Sequence, residues 1–150
     1  MPRSGFIVLA LAGGLAFAQT FAFQIGSPVA AQDFHFKSAA FVFRTTGCAD
    51  PAKPEITATL EGIDAGVRQS KDLRIAKSSK PGVYAVTQQW NPSGHWVVAL
   101  KGACGEVQAG AIVPVGRNDF VRDASKFFSH SPTSAEIDAA LKAFPEGGYK

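Results

Sequence analysis

Between Pro81 and Lys101 the chain carries two apolar, β-branched runs on either side of Asn91-Pro92-Ser93-Gly94. The tetrapeptide is a turn signal. Pro92 presets the φ that the second position of a turn needs, and Gly94 accepts a positive φ at no steric cost. A proline and a glycine this close together, between runs rich in Val, Tyr and Trp, constrain the stretch to extended structure. Read locally, it is a β-hairpin. In its second arm Trp96, Val98 and Leu100 fall on one face, and His95, Val97 and Ala99 on the other.

The flanking chain repeats this grammar. Lys37 to Thr46 reads as a first strand, with Phe41 and Phe43 on one face and Ala40, Val42 and Arg44 on the other. A loop from Thr46 to Pro54 follows, holding Gly47, Pro51 and Pro54. Glu55 to Gly62 alternates Ile56, Ala58 and Leu60 inward with Thr57, Thr59 and Glu61 outward, the pattern of a half-buried antiparallel strand. After a turn at Asp64-Ala65-Gly66, Val67 to Ala76 reads as a more polar strand with Leu73 and Ile75 buried. Its basic residues suit a sheet edge, where they discourage unwanted pairing. Turns at Ser78–Gly82 and Gly102–Gly105 bracket the hairpin, and Glu106 to Val115 is the last strand, with Val107, Ala109, Ala111 and Val113 on one face. About six short strands at roughly 8–12-residue spacing predict an all-β, antiparallel sandwich.

The period then changes. Thr133-Ser134-Ala135-Glu136 fits a capping box. Ile137, Ala140, Leu141 and Phe144 share one face at helical spacing, and Pro145 and Gly147-Gly148 end the run. A short amphipathic helix, about Ser134 to Ala143, is expected to dock on the sandwich. Phe120, Phe127 and Phe128 call for burial nearby.

The N-terminus resembles a secretory signal peptide: Arg3 precedes an uncharged, almost wholly apolar run from Phe6 to Ala18. Two small-x-small cleavage signals follow, Ala16-Phe17-Ala18 and Val29-Ala30-Ala31. The second is preferred, because Gly26-Ser27-Pro28 ahead of it has the character of a c-region. An uncleaved anchor over Phe6 to Phe23 is the other possibility. The domain plan is therefore a leader at 1–31, a sandwich at 32–116 and a C-terminal segment at 117–150 with the helix. The expected location is periplasmic or extracellular, with membrane contact only through an uncleaved leader.

The formal charge of the chain is +3. That is too small to argue for nucleic acid, and no basic cluster supports it. Arg68, Lys71, Arg74, Lys77 and Lys80 recur every three residues and read as solvated faces of strand and turn.

The cysteines are Cys48 and Cys104. Export makes a disulfide the default, and strand parity puts both at one end of the domain. Free thiols, or a thiolate metal or redox pair, are the alternatives. The histidines, His35, His95 and His130, show neither His-x-His nor His-x-x-x-His spacing. His35 would complete an amino-terminal copper site only after trimming of Gln32. His95, beside the turn, is expected to face solvent. There is no Gly-x-Ser-x-Gly elbow and no glycine-rich phosphate loop. The acids are scattered without pairing. Neither a catalytic residue nor a cofactor is implied. Tyr84 and Trp90 remain as a possible stacking pair for a sugar or peptide, against a packing role in the core.

Pro81-Gly82-Val83-Tyr84, then Pro92-Ser93-Gly94-His95-Trp96, then Trp96 to Leu100 resemble a pattern in YtkA-like, FixH-like and carboxypeptidase-regulatory (transthyretin-like) domains. There a Pro-Gly-x-Tyr strand leads into a Pro-x-Gly-x-Trp turn and a Trp-x-x-x-Leu strand. The resemblance implies an immunoglobulin-like sandwich in which Tyr84 and Trp96 are packing residues. FixH-like proteins are associated with cation handling, but no metal-ligand motif here matches, and fold does not settle function. The expectation is a non-enzymatic binding or accessory module whose partner is another envelope or secreted protein. A periplasmic metal or redox protein using the two cysteines, and a carbohydrate-binding module, are the alternatives.

Overall fold

The computed structural model describes residues 20–28, 36–50 and 53–143. The predicted leader core, both cleavage signals, His35 and Phe144 lie outside the described residues. In chain order the strands are β1 (Ala22–Gly26), β2 (Ala39–Thr46), β3 (Glu55–Asp64), β4 (Val67–Asp72), β5 (Ala76–Lys77), β6 (Val83–Thr87), β7 (His95–Cys104), β8 (Val107–Val115) and β9 (Lys126–Phe128). The helix α1 (Ser134–Ala143) follows. One sheet runs β1-β2-β6-β5 and the other β4-β3-β7-β8-β9. All the strand pairs are antiparallel. The all-β sandwich expected from alternation is therefore present.

Alternation explains the core. Phe41, Phe43, Tyr84 and Val86 point in from the first sheet, and Leu60, Trp96, Val98 and Leu100 meet them from the second. The outward faces of the two central strands are also covered. Val97 and Ala99 of β7, with Ile112 of β8, lie under Ile137, Ala140 and Leu141 of α1. Ala39 and Val42 of β2 pack with Phe36 and Ala85. This double coverage is why β2 and β7 read as nearly continuous apolar runs.

The expected hairpin between Val83 and Lys101 does not form. β6 lies in the first sheet and β7 in the second. The turn itself exists, with the Gly94 amide donating to the Asn91 carbonyl at 3.0 Å. It belongs to a crossover, however. Trp90 and Trp96 fill the space between the arms, with indole N–H groups bonded to the carbonyls of Gly116 (2.9 Å) and Asn91 (2.8 Å). Sheets pack roughly 10 Å apart, a gap the connection has to span. The paired hairpins among the described residues include β3–β4, turning at Ala65-Gly66, β5–β6, turning at Gly82, and β7–β8, turning at Gly105.

The sandwich reaches beyond the expected 32–116 span at both ends. β1 pairs along its length with β2, and β9 pairs with β8. α1 has the expected bounds and docks as expected. Thr133 Oγ1 accepts from the Glu136 amide (3.2 Å), and Glu136 Oε2 accepts from the Thr133 amide (2.8 Å). That amide first, and then the His130 ring, holds the Glu136 carboxyl below its ordinary range. Burying Ile137 and Leu141 stabilises the docked helix by about 2 kcal/mol each. Of the three phenylalanines expected to be buried, Phe120 packs on Phe41 and Phe128 against the α1 cluster, but Phe127 on the edge strand β9 is 53% exposed.

Cys48 and Cys104 form a disulfide, with Cα atoms 5.9 Å apart. It ties the loop after β2 to the end of β7, one sheet to the other. A bridge across a separation of 56 residues stabilises by roughly 4 kcal/mol in the chain-entropy description.

Candidate functional site

The run Val67 to Ala76, expected as one edge strand, is divided. Its polar half, Val67–Asp72, is β4, the edge of the five-stranded sheet, and every residue in it is exposed. Its apolar half leaves that sheet. The Leu73 amide makes a last bond to the Ala58 carbonyl (2.9 Å), and Ala76–Lys77 joins the other sheet as β5, again at an edge. The polarity step from Asp72 to Leu73 marks this switch in the sequence.

The departure of β4 leaves a gap. Glu55, Ile56 and Thr57 of β3 pair with β7 on one side, whereas β4 pairs with β3 only from Thr59 onward. Between this edge of β3, unpaired among the described residues, and the edge strand β5 lies a cavity of about 450 Å³, with Ile56, Leu73, Ile75 and Tyr84 in its wall and Asp72 and Lys77 alongside. The cleft has apolar walls and strand edges beside it that are unpaired among the described residues, and its charged lining is one cation, Lys77, and one acid, Asp72. Residues 67–80 hold Arg68, Lys71, Arg74, Lys77 and Lys80 against the single acid Asp72. Arg68 is engaged elsewhere, 2.9 Å from Glu61 and 3.4 Å from Asp138. Lys71 donates to the Gln89 carbonyl at 2.7 Å.

A second cavity, about 440 Å³, touches Gln24, Arg44, Lys80, Val83 and Arg122. Two of its cations are already held. Arg44 donates to Gln24 at 2.7 Å, and the Arg122 guanidinium lies 5.8 Å from the Phe120 ring centre. The first cleft is therefore the better candidate for binding.

The stacking pair is not on the surface. Trp90 is 6% and Tyr84 7% exposed, both within the main core. The Tyr84 ring stacks on Phe43 with centroids 5.2 Å apart. Tyr84 reaches the cleft as part of its wall, and Trp90 does not line it. The physical cause is that both rings occupy inward positions between the sheets. His95, expected at the surface, is buried at 9% exposure against α1. His130 lies 2.9 Å from Glu136. The sulfurs of Cys48 and Cys104 are bonded to each other, so neither is a thiolate ligand in this state. Among the described residues no three His, Cys, Asp or Glu side chains converge to hold a metal ion. No helix among them is long and apolar enough to cross a membrane.

No protein-family model, curated protein or solved structure matches this chain.

Sequence reading identified Leu73 and Ile75 as buried and the strand as an edge, but not the cleft they line. The polarity step at Asp72–Leu73 marks where β4 ends, but that its end falls opposite Thr59, short of Glu55–Thr57, depends on the register between strands and has no local signal.

Proposed function

We propose that this chain is an exported, non-enzymatic binding module with an immunoglobulin-like sandwich, acting in the periplasm or outside the cell. Its ligand is an extended, acidic segment of another envelope or secreted protein. The observation that carries the reading is the pairing of a bare strand edge with an apolar cleft at the β4–β5 crossover. An incoming strand gains main-chain hydrogen bonds along an open edge, and one alternate side chain can enter a pocket beside it. Lys77 on the cleft, and the net positive charge of the run 67–80 around it, favour acidic flanks and steer the encounter. The disulfide suits an oxidising compartment.

Site-specific photo-crosslinking in the native envelope tests this. A benzophenone side chain at Ile75 or Lys77 of the full chain is expected to capture one protein, with the crosslink mapping to an acidic, extended stretch. The Lys71→Glu/Lys77→Glu double variant is expected to abolish capture. A probe at Lys142, on α1, serves as the control. Equal capture from both positions, or a crosslink unaffected by charge reversal, overturns the proposal.

A further inference from the structure

We propose that export processing cuts the Ala18–Gln19 bond, so that residues 20–26 remain in the mature protein as a structural strand. This rests on the export reading above and goes beyond it by naming the processing site. Of the two small-x-small signals, the sequence alone favours the one ending at Ala31. The folded body argues for the other.

β1 is integral to the sandwich. It pairs with β2 from Ala22↔Thr46 to Gly26↔Val42. Phe21 and Phe23 are 3% and 4% exposed, and Phe23 meets Phe43 edge-on with centroids 5.8 Å apart. The rest of the chain is shaped to receive them. Gly102 lies inside β7, where a glycine weakens a strand unless something must approach closely. A Cβ at Gly102 would stand 2.8 Å from Phe23 Cζ and 3.1 Å from Phe21 Cζ. Gly47, at φ +81°, is in the left-handed region, and a side chain there would run into the Thr20 carbonyl. Both glycines lie C-terminal to residue 32, and both leave space for residues 20–23.

A cut after Ala31 would remove this strand, empty the space facing Gly102 and bare the β2 edge. Losing two buried phenylalanines together with a row of ladder hydrogen bonds is comparable to the whole stability margin of an ordinary small domain. A cut after Ala18 leaves Gln19 and Thr20 ahead of the buried Phe21 and keeps the whole of β1. Ala16 and Ala18 supply the small residues that a leader peptidase reads, behind an apolar run of h-region length. The step is hydrolysis by such a peptidase. Water supplies hydroxide to the Ala18 carbonyl carbon and a proton to the Gln19 amine.

The test is the intact mass and terminal-peptide map of the protein purified from its native envelope. The expected first residue is Gln19, free or cyclised to pyroglutamate with loss of ammonia. A first residue of Gln32 overturns the proposal and leaves export standing, as does an uncut Met1 chain found in the envelope. An uncut chain found in the cytoplasm overturns the export reading and the proposal together. Ala18→Phe is expected to block processing, and Ala31→Phe to leave it unchanged; the reverse result overturns the proposal. Independently, refolded 19–150 is expected to resist a protease that digests refolded 32–150, and equal resistance counts against a structural role for the strand.

Discussion

His95 Nε2 lies 2.8 Å from the main-chain oxygen of Leu141, joining the first residue of β7 to the last turn of α1. A carbonyl only accepts, so Nε2 carries the hydrogen in this contact. The Leu141 oxygen belongs to the last four carbonyls of the helix, which have no partner within it. One ring nitrogen thus caps the helix and holds it on the sheet. His95→Ala is expected to cost about 1–3 kcal/mol, because it leaves a buried acceptor unmet. His95→Gln, which keeps a donor, is expected to cost less. Urea unfolding gives the stability change, and amide exchange of α1 should accelerate more than that of β7.

The Cys48–Cys104 bridge crosslinks the loop after β2, in one sheet, to the end of β7, in the other. The double variant Cys48→Ser/Cys104→Ser is expected to lose roughly 4 kcal/mol, as is the wild type under reductant. Denaturation midpoints with and without reductant check this. Reductant should leave the double variant unchanged.

The capping pair gives an acid-side signature. The folded Glu136 carboxyl titrates below the ordinary value of 4.5. Its contribution is therefore complete above that value and is lost as pH falls through the folded value. Glu136→Gln is expected to flatten the acid limb of stability against pH, below about 4.5. Thr133→Ala removes the reciprocal bond and is expected to cost about 1 kcal/mol. Circular dichroism melts across the acid range measure both.

The burial of Trp90 and Trp96 predicts a spectroscopic result. Native emission is expected to be blue-shifted and insensitive to iodide. Adding glycans should leave it unchanged, since neither indole is available for stacking. Trp90→Ala is expected to cost about 3–5 kcal/mol through lost packing, and the variant also loses the bond to the Gly116 carbonyl. A quenched native signal, or a glycan-induced shift, contradicts this assignment.

Much of the fold was legible because its determinants are local. The alternation of Glu55–Gly62 and Glu106–Val115 placed Ala58, Leu60, Ala109, Ala111 and Val113 inward, since side-chain direction follows from a strand period of 2, although Val107 at the strand end is 55% exposed and Glu61, expected outward, is buried. The helix bounds followed from Thr133 and Glu136, which meet across one turn. The two cysteines, placed at one end by counting strands, proved to be bonded.

What escaped the sequence depends on partners far apart in the chain. The turn at Asn91–Gly94 was recognised correctly, yet its two arms joined different sheets, because β6 pairs with β2 and β7 with β3 and β8. The cleft exists because β4 leaves β3 before β3 ends. The run Phe21–Ile25 has the same apolarity whether it serves as the end of a leader or as a strand. Only the tertiary structure distinguishes the two uses, by setting Phe21 and Phe23 against the bare Cα of Gly102. Sequence by itself determined which faces are apolar. Long-range packing decided which faces meet, because that choice rests on the shape and volume of residues tens of positions apart.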